Sequence, residues 1–152
     1  MLNSVPTEVL EIIFNNLNID QKIVVSQVSK RFFDINLKHV TSFICSAAAE
    51  AGNLGCLKYA HENGCKWDKW VCYAAAGGGH MDCLKYAHEN GCEWDKWTCY
   101  AAAKFGHMDC LKYAHENGCE WDKWVCYKAA ERGHLDCLKY ADENGCDWCS
   151  VQ

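Results

Sequence analysis

From residue 43 onward, apolar side chains recur at helical intervals, and the recurrence itself recurs. Between Met108 and Asn117, Met108, Leu111 and Ala114 stand three residues apart with Cys110 beside them, while Asp109, Lys112 and Glu116 fill polar positions. That spacing predicts a helix with a single apolar stripe. Ahead of it, the run W-T-C-Y-A-A-A-K-F from Trp97 predicts a shorter helix. Its Ala101, Ala102 and Ala103 combine high helix propensity with side chains small enough for another helix to approach closely. Gly106 separates the two helices, and Gly118 follows the last periodic residue as a C-terminal cap would. Asp109 falls in the first turn of the second helix, where a carboxylate meets the positive end of the helix dipole. The unit reads as a helix-turn-helix hairpin.

The hairpin is written four times. C-L-K-Y-A-H-E-N-G-C begins at Cys56, Cys83 and Cys110, and returns as C-L-K-Y-A-D-E-N-G-C at Cys137, always 27 residues on. Units run over about 43–69, 70–96, 97–123 and 124–152. Residues 70–96 and 97–123 differ only at Val71/Thr98, Gly77/Lys104 and Gly78/Phe105. A fixed period of this size predicts a stacked array whose units bury their apolar faces on neighbours. Arrays of this kind hold partners more often than they perform chemistry. The first unit (Thr41 to Gly64) and the last (Trp124 to Gly145) are the least regular. In the last, Lys128, Glu131, Arg132 and Asp142 suit an outward-facing cap.

These residues resemble the ankyrin repeat. Ala102-Ala103-Lys104-Phe105-Gly106-His107 matches the family's A-A-x-x-G-H, and Asp109-Cys110-Leu111-Lys112 through Gly118-Cys119-Glu120-Trp121-Asp122 matches its second helix and following turn in register. The unit is about six residues shorter than the family's usual 33. The missing stretch is the β-turn finger between Asp122 and Trp124, and Trp97-Thr98-Cys99-Tyr100 stands where the family has T-P-L-H. The resemblance implies a solenoid without fingers.

Residues 1–40 do not repeat. Pro6 at a helix start, Glu8 and Glu11 in the first turns, and Leu10, Ile13, Phe14 and Leu17 at i, i+3, i+4 and i+7 describe an amphipathic helix. A second apolar stretch, Ile23-Val24-Val25 with Val28, leads into Ser29-Lys30-Arg31-Phe32-Phe33 and a short third helix to about Leu37. The order V-P-T-E-V-L-E-I-I-F-N-N-L, then I-V-V-S-Q-V-S-K-R-F-F, is similar to the F-box, with Val5 for the usual leading Leu and Phe33 where Trp is common. That resemblance implies docking onto a Skp-type adaptor of cullin-RING ubiquitin ligases. Val5, Pro6, Leu10, Ile13, Phe14, Leu17, Val24 and Val28 would form the contact. A trio of about 40 residues buries too little apolar surface to fold well alone, so the alternative is that residues 1–40 only cap the array. The expected fold is therefore all-α: an F-box-like module over 1–40, then four ankyrin-like hairpins over 41–152. An F-box joined to units with this wording also resembles multigene families of large DNA viruses that infect amoebae.

Charge narrows the partners. The chain carries a net charge of −5, and residues 1–42 are balanced, so the excess acid lies in the repeats. An acidic array offers no electrostatic footprint for nucleic acid or anionic membrane, and no apolar run approaches the ~18 residues of a membrane span. The first residues lack the positive and apolar regions of a secretory signal, so a cytoplasmic location, the host's if the protein is viral, is expected. Twelve of the 13 cysteines recur at repeat positions, such as 45/72/99/126 and 65/92/119/146. This periodicity predicts equivalent packing sites filled by reduced thiols.

Chemistry finds little support. His80, His107 and His134 stand three residues before Cys83, Cys110 and Cys137, a spacing that would share a helix face. The same histidine occupies the Gly-His turn, and each site would need two more ligands. Cys146-Asp147-Trp148-Cys149 is the single C-x-x-C, without a second pair. Gly77-Gly78-Gly79 lacks the Lys and Ser/Thr of a phosphate loop. No catalytic residue, metal or cofactor is expected. His61, His88 and His115 read as a solvated face, and the pairs Trp67/Trp70, Trp94/Trp97 and Trp121/Trp124 as packing between units. A thiol- or metal-binding protein is the remaining alternative. Positions that vary between units collect at the end of the first helix: Glu50-Ala51, Gly77-Gly78, Lys104-Phe105 and Glu131-Arg132. This row is the expected surface for an unidentified protein target.

Overall fold

The chain divides into two units between Leu37 and Lys38. The computed structural model describes residues 40–62 and 64–146, all in the second unit. Among them it contains eight helices and no strand: α1 (Val40–Glu50), α2 (Leu54–Glu62), α3 (Lys69–Gly78), α4 (Met81–Glu89), α5 (Lys96–Phe105), α6 (Met108–Glu116), α7 (Lys123–Arg132) and α8 (Leu135–Glu143). Consecutive pairs form four antiparallel hairpins, an all-α solenoid without fingers.

α3, α5 and α7 each start one residue earlier than the tryptophan suggests. Asp95 adopts an extended backbone and its carboxylate accepts from the Trp97 N–H at 3.0 Å; Asp68 and Asp122 cap α3 and α7 in the same way. Each such cap satisfies a backbone donor that the helix itself leaves unpaired. At the other end Gly106 takes φ 78°, with its N–H on the Ala103 carbonyl at 3.3 Å and the His107 N–H on the Ala102 carbonyl at 2.8 Å. This pair of reversed bonds closes the helix. A Cβ on Gly106 would stand 2.5 Å from the His134 ring, and one on Gly79 would stand 2.5 Å from that of His107. The turn histidine of each unit thus lies on the turn glycine of the unit before.

The core follows the apolar stripe. Leu57, Leu84 and Leu111 are fully buried, as are Ala75, Ala76, Ala102 and Ala103 of the first helices. A fully buried leucine contributes about 1.5–3 kcal/mol relative to an exposed one. First helices pack closely on one another through these alanines, whereas second helices touch less. In the last unit Leu135 is 70% exposed and Leu138 only half-buried, so the stripe is more open there among the described residues.

The extended segments between units, 65–68, 92–95 and 119–122, occupy the place of the fingers. Cys92 donates its thiol to the Asp68 carbonyl at 3.2 Å, and Cys119 donates to Asp95 at 3.1 Å. Lys69 spans the same gap to Asp95 at 2.8 Å, and Lys96 reaches Asp122 at 2.8 Å. Cys45 and Cys65 lie against one another across the first hairpin. Their counterparts Cys72/Cys92, Cys99/Cys119 and Cys126/Cys146 are in side-chain contact as free thiols. The reason is the period itself: a small buried site on each first helix faces the segment 20 residues on, and cysteine fills both sides.

Candidate interaction surface

Placing the first-helix start at Lys69, Lys96 and Lys123 fixes which residues face outward. Trp70, Tyr73 and Gly77 lie at i, i+3 and i+7 of α3 and share one side, opposite buried Val71, Cys72, Ala75 and Ala76. Trp97, Tyr100 and Lys104 repeat this on α5, and Trp124, Tyr127 and Glu131 on α7. The three tryptophans are 51%, 42% and 47% exposed. Each meets its tyrosine edge-on, with ring centroids 5.2–5.4 Å apart. The outer side of the first helices is thus a lattice of three Trp–Tyr pairs, one per unit.

The expectation that both tryptophans of each pair pack between units is corrected. Trp67, Trp94 and Trp121 do so: they stack on His61, His88 and His115 with centroids 3.6–3.7 Å apart and meet Tyr86, Tyr113 and Tyr140 of the next unit edge-on. Those histidines are accordingly half-buried partners of the stack and not a solvated face. Trp70, Trp97 and Trp124 remain outside. Their signal was present in the sequence, since W-D-K-W places an N-cap aspartate two residues before the second tryptophan and so sets its helical phase.

The varying positions stand together at the C-terminal ends of the first helices. Glu50 ends α1, Gly77 and Gly78 end α3, Lys104 and Phe105 end α5, and Glu131 and Arg132 end α7. Phe105 is 47% exposed. A Cβ on Gly77 would lie 3.5 Å from the Phe105 ring, so glycine forms the floor beside it. Gly78 varies for a packing reason: a Cβ there would approach the Glu50 carbonyl oxygen to 2.7 Å. Lys104 Nζ stands 5.0 Å from the Phe105 ring centroid and 6.0 Å from that of Tyr100. Lys128 pairs with Glu131 and lies 5.4 Å from the Tyr127 ring. These are cation–π distances.

Cys110 and Cys137 make poor nucleophiles, whereas contact with Cys72 and Cys99 holds the Cys92 and Cys119 thiols below the ordinary value. Burial pushes Cys110 and Cys137 up to about 11, helped by Asp109 and Asp136. Only ionised thiolate reacts readily or binds metal. Among the described residues no three His, Cys, Asp or Glu side chains converge as a metal site would require. Val5, Pro6, Leu10, Ile13, Phe14, Leu17, Val24 and Val28, and Cys149, lie outside the described residues.

Comparison with known families agrees with this construction. Residues 99–141, from the first turn of α5 into α8, match the family model for ankyrin repeats (many copies), and residues 2–35 match that for the F-box domain. The chain carries an F-box domain and ankyrin repeats. The search of curated proteins found no match. An F-box and ankyrin repeats in one chain mark a protein-interaction adaptor, and both are typically non-catalytic modules. No helix among the described residues is long and apolar enough to cross a membrane.

Proposed function

We propose that the protein recruits a target to a cullin-RING ubiquitin ligase, in the cytoplasm. Its F-box docks a Skp-type adaptor through Val5, Pro6, Leu10, Ile13, Phe14, Leu17, Val24 and Val28, and the outer side of the first helices holds the target. The observation that carries this reading is the coexistence of an F-box match with an exposed aromatic lattice on the repeats. Soluble proteins rarely leave large aromatic side chains exposed in a regular row without a partner for them. The target row comprises Glu50, the backbone at Gly77 and Gly78, Lys104, Phe105, Glu131 and Arg132, continued by the Trp–Tyr pairs. Phe105 and Arg132 are the residue types that anchor interfaces, because a large aromatic ring and a planar cation each supply much contact energy. The likeness to multigene families of large DNA viruses extends this reading to a host protein as the target and the host's ligase as the enzyme.

The test is affinity capture by the full-length protein from a eukaryotic lysate, read by mass spectrometry. A Skp-type adaptor and one further protein should be recovered. Phe105→Ala and Arg132→Ala should each weaken the further protein's binding by more than ~1 kcal/mol, leaving adaptor recovery and melting temperature unchanged. Recovery of the further protein without an adaptor would instead favour a binding module with no ligase link.

A further inference from the structure

The two rows of helices carry opposite charge. The first helices hold six basic side chains against two acidic ones, and the second helices hold four against eight. Along the tryptophan edge of the first-helix row the N-cap aspartates Asp68, Asp95 and Asp122 offset the lysines, two of which they bind directly. That edge is close to neutral. The positive excess collects at the opposite edge, in units three and four, where Lys104, Lys128 and Arg132 all act on the single carboxylate of Glu131. That carboxyl is held below its usual value, first by Lys128 and then also by Arg132 and Lys104. Phe105, Tyr100 and Tyr127 stand among these cations.

We propose that the target segment held by this face is an extended peptide of net negative charge, which seats an apolar residue on Phe105 and brings carboxylates to Lys104, Lys128 and Arg132. The inference rests on the reading that the first-helix side holds the target. Its support is charge complementarity: in a chain of net charge −5, the face with the exposed aromatics is also the cationic one. Arginine binds carboxylate through paired, charge-assisted hydrogen bonds, which adds direction to attraction. Single-stranded nucleic acid would also stack on the aromatic rings. Its backbone, charged at every nucleotide, would however pass Asp68, Asp95 and Asp122, so a peptide with its charge confined to one end fits better.

The experiment selects random linear peptides from a displayed library against the full-length protein, with labelled oligothymidylate titrated in a parallel arm. Acidic sequences containing a large apolar residue should be enriched. Their affinity should fall about tenfold or more for the Lys104→Glu/Arg132→Glu double variant, fall with added salt, and fall for Phe105→Ala, with circular dichroism unchanged. Neutral or basic peptides that still depend on Phe105 would overturn the acidic partner while leaving the surface in place. Acidic peptides indifferent to Phe105 and to the double variant would overturn the surface itself. Tighter binding of oligothymidylate than of any selected peptide, or no enrichment at all, would also overturn the proposal.

Discussion

Thr98 sits fully buried in α5 at the position that Val71 and Val125 occupy in α3 and α7, and its hydroxyl has no hydrogen-bond partner. Leaving a buried hydroxyl unpaired carries a desolvation penalty of about 1–3 kcal/mol, which an apolar group of the same shape avoids. Thr98→Val is therefore expected to stabilise the protein by about 1 kcal/mol, seen as a higher urea midpoint with an unchanged slope. A lower midpoint would mean that the hydroxyl does useful bonding. The same residue-by-residue comparison separates Gly78 from its neighbours in the varying row. Variation between units invites a functional reading, yet at Gly78 the Glu50 carbonyl leaves no space for a side chain. At Lys104, Phe105 and Arg132 no such constraint operates, and those side chains are available to a partner.

The helices show what a period can and cannot reveal. Helix pairs, their turn glycines and the leucine stripe were legible because each rests on a local rule: 3.6-residue spacing, a left-handed cap, apolar burial. The start of the first helix is less legible, because the apolar run begins at Trp97 whereas the cap is Asp95, two residues before it. The cap at Asp95 leaves Trp94 in the extended segment, where it packs between units, and puts Trp97 in the first turn of α5, where it faces outward. The thiol contacts are not legible in the sequence for another reason. Equivalence of positions along the chain says nothing of which positions meet across a hairpin, and Cys45 meets Cys65 through tertiary packing. Asp95 joins two elements, since its carboxylate caps α5 and pairs with Lys69 of the unit before. Asp95→Ala should destabilise by about 1–2 kcal/mol, most of it from the lost cap and little from an exposed ion pair. Asp95→Asn, which keeps a cap and loses the pair, should recover most of that difference in thermal denaturation.

At the scale of the whole array, two buried second-helix thiols, Cys110 and Cys137, favour the protonated form when folded. Cys110 and Cys137 ionise at about 11 when folded, against an ordinary value of 9.0, with burial the main cause. Between those values the folded chain holds protons that the unfolded chain has released, so stability is full below about pH 9 and falls as pH rises toward 11. Melting temperatures recorded across that window should decline, and Cys110→Ala should flatten part of the decline; a level profile would show that the thiols do not control it. The central claim, that one chain joins a ligase adaptor to a target through separate surfaces, is tested most directly by titrating a purified Skp-type adaptor with the full-length protein and three variants. Wild type and Phe105→Ala should form the same one-to-one complex. Leu10→Asp and Phe14→Asp should form none, because a charge placed on an apolar contact must be desolvated without a partner. Failure of the wild-type protein, folded by circular dichroism, to bind any Skp-type adaptor would contradict the account.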